Sequence, residues 1–348
     1  MGGPGDWGID WAERGLVPDA LIRQGIRRLL AGRLANERLA DADAQDARFR
    51  MRISELSEGP VAVHTDAANE QHYEVPPEFF RLCLGRHRKY SCGYWDESTA
   101  TLDDSEARML ALTVERARLE EGQRILELGC GWGSLSLWMA EHLPKAEILC
   151  VSNSAPQRET ILALARERGL GNIDVVTADM RDFDAGDTFD RIVSVEMFEH
   201  MSNYRELMRR IAGWLRPGGQ LFVHHFCHRE LLYPFQVEGK TDWMAQHFFT
   251  GGIMPSADTL LHFQDDLRLE ERWLVGGRHY ERTCNAWLEK LDAHREAALA
   301  ILGEDLAERE ARIWLQRWRI FYMACAELFG YADGREWLVG HYRFRRPE

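Results

Sequence analysis

The stretch that most limits what this chain can fold into runs over residues 124–137, Arg-Ile-Leu-Glu-Leu-Gly-Cys-Gly-Trp-Gly-Ser-Leu-Ser-Leu. Ile125, Leu126 and Leu128 form a short apolar run that reads as a buried strand, and Gly129, Gly131 and Gly133 then turn the chain. An apolar pattern at helical spacing follows at Leu135, Trp138 and Met139. Strand, glycine loop and helix in that order bring backbone close to a ligand with no Cβ in the way. Glu127 at the strand's end sets a carboxylate beside that ligand, which suits a cationic or amino-bearing group better than a pyrophosphate. The dinucleotide pattern Gly-x-Gly-x-x-Gly is not matched, and a tight connection that binds nothing reads the same way.

Downstream, strands are expected at 148–151, 173–177, 189–195, 220–225 and 267–275, with helices at 155–167 and 205–214 and a turn at 216–219. Strands alternating with ten-residue helices imply an α/β fold with a doubly wound, mostly parallel sheet that binds ligands at the carboxyl ends of its strands. Long helices at 283–302 and 306–329 and a final edge strand at 341–344 complete the reading. Between 227 and 266 an insertion rich in aromatics (Tyr233, Phe235, Trp243, Phe248, Phe249) breaks the alternation. It is either a small satellite core or one wall of an apolar substrate pocket.

At the other end, the glycine-rich first dozen residues are expected to be loose. Residues 18–39 set Leu21, Ile22, Ile26, Leu29, Leu30 and Leu34 on one helical stripe and Arg23, Arg27, Arg28 and Arg33 on a basic side. Such a helix either docks over the core or touches anionic lipid. Residues 41–69 read as a helix and a connecting loop. The chain thus divides into an N-terminal helical cap, 1–70, and a catalytic domain, 71–348, with a lid at 227–266.

Length and charge narrow the function. The 348 residues suffice for a large core, and 43 Lys and Arg against 56 Asp and Glu give a net charge of −13, which argues against nucleic acid as a partner. Seven cysteines without a Cys-x-x-Cys pair, no apolar run of membrane-spanning length and no basic-then-apolar N-terminus point to a reduced, cytoplasmic chain.

The chemistry concentrates in Glu196-Met-Phe-Glu-His200, directly after the fourth strand. Two carboxylates and an imidazole there would project into the ligand crevice, although carboxylates at that spacing also cap helices. No metal is expected, because His200 lacks a second ligand at helical spacing. Asp179 and Met180, after the third strand, would flank a nucleoside base, or serve as a turn cap and a core methionine.

The spacing Glu127-x-Gly-x-Gly-x-Gly133 resembles motif I of class I S-adenosylmethionine-dependent methyltransferases. With Gln71-His-Tyr-Glu-Val-Pro-Pro-Glu-Phe-Phe80 and Lys89-Tyr-Ser-Cys-Gly-Tyr-Trp95 it resembles the cyclopropane fatty acid synthase family and the related coclaurine N-methyltransferases, from about Pro18 to the C-terminus. The resemblance implies a Rossmann-like fold with S-adenosyl-L-methionine on the loop, its ribose near Asn153 and Gln157 and its adenine near Asp179 and Met180. It also implies that Tyr90, Ser91 and Cys92 contact cofactor and reaction centre, and that a substrate lid lies in the insertion.

On the acceptor, the resemblance points two ways. Glu196-x-x-Glu199-His200 is similar to the substrate-handling motif of the coclaurine enzymes, whereas cyclopropane synthases usually carry glycine at the first position. Cyclopropane synthases bind bicarbonate through a cysteine, a glutamate, a histidine and a tyrosine, which by motif are Cys92, Glu199, His224 and Tyr280. The favoured expectation is N-methylation of an apolar or aromatic amine, in which Glu196 or His200 takes the amine's proton or holds the cation. Cyclopropanation or methylation of an unsaturated acyl chain, with bicarbonate and some membrane contact, is the alternative, and a non-catalytic cofactor-binding protein the third. Oligomeric state is not legible.

Overall fold

The computed structural model describes residues 4–63, 76–235 and 243–348. The first residues of the Gln71-to-Phe80 motif and residues 236–242 of the insertion lie outside these. Seven strands form one sheet in the order β3-β2-β1-β4-β5-β9-β8. They are β1 (Arg124–Leu128), β2 (Glu147–Ser152), β3 (Ile173–Thr177), β4 (Phe189–Val195), β5 (Leu215–His228), β8 (Arg268–Val275) and β9 (Trp337–Arg345). The first five pair in parallel and β9 runs antiparallel between β5 and β8. A two-stranded ribbon, β6 (Tyr233–Pro234) with β7 (Ile253–Met254), sits in the insertion.

The strands are apolar on both faces because helices cover both, and successive side chains divide between two cores. On one side Ile125, Ile148, Val193 and Phe222 meet Leu135, Met139 and Ile161 of the helices Ser134–His142 and Ala155–Glu167. On the other, Leu126, Leu128, Val151, Ile192 and Leu221 meet Tyr204, Leu207 and Ile211 of the helix Tyr204–Trp214. A third, aromatic core joins the helices Asp19–Glu37, Pro77–Cys83, Gly277–Ala293 and Glu308–Gly334 through Phe79, Phe80, Trp287, Trp318 and Tyr322. It reaches the glycine loop where Phe80 packs on Trp132, ring centroids 5.1 Å apart.

The doubly wound, mostly parallel sheet agrees with the sequence reading, and four local expectations are corrected. The first dozen residues are not loose: Pro4–Glu13 is a helix, pinned where Glu13 accepts hydrogen bonds from Arg317 (3.0 Å) and Trp243 (2.7 Å). The last strand is not an edge. Trp337 to Phe344 are buried throughout, and β8, with its run of exposed residues, is the edge instead. An apolar stretch without alternation was itself the mark of an interior strand. The helix expected at 283–302 begins at Gly277 and breaks at His294, giving Gly277–Ala293 and Arg295–Leu302. Its first residue must be glycine, since a Cβ at Gly277 would be 2.2 Å from the carbonyl oxygens of Phe329 and Trp337. The expected turn at 216–219 lies within β5 as a register shift opposite β4, with Gly218 at φ 75°.

The N-terminal helix Asp19–Glu37 docks on Glu308–Gly334, where Glu327 pairs with Arg23 (3.0 Å) and Arg27 (2.7 Å). Its basic side is thereby partly spent inside the molecule. No described helix is long and apolar enough to cross a membrane.

Candidate active site

Gly129, Gly131 and Gly133 all take left-handed backbone angles, φ 79°, 51° and 81°, after β1. A Cβ at Gly129 would lie 2.9 Å from Met197 and one at Gly133 2.6 Å from Ile161, so those two let the loop nest on its neighbours. Gly131 has nothing within 4 Å of the added carbon and faces open space. That space is a crevice lined by Gly129, Gly131, Ser152, Asn153, Gln157, Met180, Glu196, Met197, His200 and Thr250 among others. It lies beyond the carboxyl ends of β1, β2 and β4, as the topology requires.

Gln157 is 1 % exposed; Ser152 donates to its Oε1 (2.6 Å), while its Nε2 has no partner among the described residues. A buried amide donor without an acceptor, on a crevice floored by bare glycine backbone, fits a ligand with hydroxyl groups. Glu127 sits beneath the loop, taking a hydrogen bond from Ser136 and one from the Cys150 thiol (3.5 Å), and burial pushes its carboxyl up to about 7. It is tied to the helix Ser134–His142 and to β2, and the crevice's lining begins at Gly129. Asp179 holds its own turn through the Arg181 amide (2.8 Å) and pairs with the Arg181 guanidinium (2.9 Å), whereas Met180 faces the crevice. Ser91 takes a hydrogen bond from Lys89, and Tyr90 packs between Phe80 (5.1 Å) and Trp287 (5.5 Å).

The centre of the site is Glu196. Its backbone is left-handed, φ 50°, which a residue with a Cβ adopts at a cost of about 1 kcal/mol, and its amide is fixed by the His224 carbonyl (2.8 Å). Its carboxylate accepts hydrogen bonds from the Cys92 backbone N–H (3.2 Å) and His224 Nε2 (3.3 Å) on one oxygen and from the Tyr280 hydroxyl (2.7 Å) on the other. Three of the residues assigned by resemblance to bicarbonate therefore converge on the Glu196 side chain.

Glu199 does not join them. It is fully buried, accepts from the Phe226 amide (2.8 Å), and its Oε2 has no partner among the described residues. Burial and the like charge of Glu196 drive its carboxyl well above the usual range, which favours its neutral form. Burial also raises Glu196, but Lys89, Tyr280 and the Cys92 amide oppose the rise, so the two carboxyls are separated in acidity. Neither caps a helix: Asn203 caps Tyr204–Trp214 by accepting from the Glu206 amide (2.9 Å). His200 lines the crevice beside Phe249 (centroids 4.6 Å), and burial lowers it to about 4, leaving a neutral ring.

Aromatic rings pack behind Glu196 and His200, which Tyr280 and Phe249 touch. Tyr280 stacks on Phe329 (4.3 Å), Phe226 meets both Phe329 (6.3 Å) and Phe249 (5.5 Å), and Phe235 closes on Phe249 (4.9 Å). Cys92 is buried, its thiol donating to the Gly93 carbonyl (3.1 Å), and burial raises its pKa well above that of an ordinary thiol. No group of three or more metal-ligating side chains converges among the described residues.

Sequence reasoning missed Lys89, an ammonium only 2 % exposed whose pKa burial lowers against the pull of Glu196. A lysine heading the aromatic run Lys89-Tyr-Ser-Cys-Gly-Tyr-Trp95 was the available signal. It also missed Thr250 and Gly251, which the insertion brings to the crevice rim.

The sequence profile of the mycolic acid cyclopropane synthetase family matches residues 63–334. The chain is 37 % identical to (S)-coclaurine N-methyltransferase of Thalictrum flavum subsp. glaucum, over 96 % of this chain and 94 % of that one. With cyclopropane-fatty-acyl-phospholipid synthase of Escherichia coli K12 it shares 29 % identity over 78 % of this chain and 66 % of the relative. The crystal structure of coclaurine N-methyltransferase bound to N-methylheliamine and SAH superposes with a TM-score of 0.93 at 36 % identity, covering 97 % of this chain and 98 % of the other.

Proposed function

The chain belongs to the mycolic acid cyclopropane synthetase family, and on that premise we infer that it is an S-adenosylmethionine-dependent methyltransferase acting on the nitrogen of an apolar or aromatic amine. The observation that carries the reading is the Glu196 carboxylate, held at a left-handed position by Cys92, His224 and Tyr280. A glycine would take that backbone without strain, so keeping a glutamate there argues for its side chain.

The residues fit the cofactor. Gly129 and Gly131 would underlie its methionine part, and Asn153 and the spare Gln157 amide would meet its ribose, with Met180 against the base. When bound, the cofactor supplies an electrophilic methyl group on a sulfonium. The chain's own work is to bring a neutral amine in line and dispose of its proton. Glu196 accepts that proton or pairs with the methylated cation, and the burial of Glu199 disfavours a second negative charge beside it. Phe226, Phe249, Phe329 and Tyr280 offer an apolar enclosure in which that ion pair is strengthened.

The carboxylate also bears on bicarbonate. It takes the bonds of His224, Tyr280 and the Cys92 amide, so an internal carboxylate stands in for the anion and turnover should not need bicarbonate. The seven free thiols, six of them buried, favour a cytoplasmic setting. The test is mass spectrometry for a methyl gain, on an amine library and on phospholipids with unsaturated chains, in buffer stripped of carbon dioxide and then resupplied with bicarbonate. Methylated amine at equal rates in both buffers is expected. Modified acyl chains, with turnover that follows bicarbonate and survives Glu196→Gln, would overturn it.

A further inference from the structure

His224 is more than a neighbour of Glu196. It stands opposite His341 across the antiparallel pairing of β5 and β9, and the two rings lie 2.9 Å apart, Nε2 of His341 to Nδ1 of His224. Beyond them Arg116, from the helix Leu102–Ala117, places Nη1 2.8 Å from Nδ1 of His341. Both histidines are fully buried. A line of hydrogen bonds therefore runs from the Glu196 carboxylate through two imidazoles to a guanidinium that also lies over the Trp273 ring (4.9 Å).

The direction of that line follows from one fact. A guanidinium carries donors only, so Arg116 must donate to Nδ1 of His341. His341 then carries its hydrogen on Nε2 and donates to Nδ1 of His224, and His224 carries its hydrogen on Nε2 and donates to Glu196. Each step is forced by the one before, provided both rings are neutral, as their burial beside the Arg116 and Lys89 cations favours.

We propose that His341 and Arg116 are positioning residues of this site, which fix the tautomer of His224 and hold Glu196 as a proton acceptor through a one-way chain of hydrogen bonds. The chain has a further consequence. Since no member can accept a proton from Glu196 without reversing every bond to a group that never accepts, the proton taken from the amine does not leave along this line. The proposal rests on the reading of Glu196 as the amine's partner. Glu196 is faced as well by Lys89, Cys92, Tyr280, His200 and Glu199, and the histidines by Lys89 and His225, so these are held constant in the test.

Two measurements decide it. Nitrogen-15 NMR of the histidine rings of the wild-type protein should find His224 and His341 neutral with hydrogen on Nε2 from pH 6 to 8, and hydrogen on Nδ1 of His224 overturns the chain. For Arg116→Met, the acid limb of kcat/KM should move up by about half a pH unit or more and kcat fall about tenfold, with S-adenosylhomocysteine binding within about twofold of wild type. Arg116→Lys, which keeps a cationic donor, should restore most of both. A profile of Arg116→Met that overlays wild type, or Arg116→Lys no better than Met, overturns the positioning role. Should the ring tautomers be as stated while Glu196→Gln keeps full turnover, the chain stands and the amine reading falls.

Discussion

Glu196 combines a strained backbone, a part-buried carboxylate and three converging donors, and two substitutions separate their effects. Glu196→Gln keeps the shape and loses the base, so kcat for the amine should fall by about 10²-fold or more, with S-adenosylhomocysteine binding nearly unchanged in calorimetry. Glu196→Gly suits φ 50° and leaves His224, Tyr280 and the Cys92 amide without their acceptor. Added bicarbonate or formate should then restore part of the lost turnover, and no rescue at any concentration would count against the substitution of one carboxylate for another. Glu127 gives a pH prediction. Its pKa in the fold is raised to about 7 by burial, so its contribution to stability is fully present below its ordinary value and lost as pH rises through about 7. Relative to Glu127→Gln, the wild-type protein without ligand should lose thermal stability between pH 5 and pH 8, and parallel Tm curves would contradict the assignment.

At the scale of elements, the glycine loop separates folding from binding within three residues. Gly133 packs on the helix Ala155–Glu167 and Gly131 opens on the crevice. Gly133→Ala, 2.6 Å from Ile161, should therefore destabilise by about 1–3 kcal/mol. Gly131→Ala should cost only its left-handed backbone, about 1 kcal/mol, and weaken S-adenosylhomocysteine more than about tenfold by entering the ligand's space. Thermal melts paired with calorimetry on both variants check this; equal loss of affinity in the two would contradict it. The short helical turn Phe198–His200 after β4 works similarly, turning Glu199 inward to the Phe226 amide and His200 outward to the crevice.

For the whole molecule, the sheet provides the strand ends, and the aromatic helical layer backs the site through Tyr280 on Glu196 and Phe80 on Trp132. That layer depends on the N-terminal helix Asp19–Glu37, which is tied to Glu327 by Arg23 and Arg27 and to Arg319 by Asp19 (2.6 Å). Reversing Arg23 and Arg27 to Glu should lower Tm through a stability loss of about 1 kcal/mol after solvent screening, and Glu327→Arg in the same chain should recover most of it. An unchanged Tm, with the same variant losing affinity for anionic vesicles, would instead assign the basic side to a membrane surface. The net charge of −13 works with the Glu196 carboxylate in drawing a cationic amine toward the mouth.

The sequence by itself determined what depends on neighbours along the chain. Buried strands, the glycine loop and the helix Ala155–Glu167 are written in local periodicity, and the order of strands and helices settled the sheet and the crevice at its carboxyl ends. The residues Cys92, Glu196, His224 and Tyr280 were also legible, because each sits in a motif. Their mutual arrangement was not. That Cys92, His224 and Tyr280 would close on Glu196 rather than Glu199 depends on a left-handed backbone angle and on where four distant elements meet. His341 read only as one residue of an edge strand, because its partner lies 117 positions away, across a pairing that exists only once the C-terminal strand slides between β5 and β8. Lys89 was hidden for the same reason, since burial of a charge is a property of the packed layer around it and has no period in the sequence.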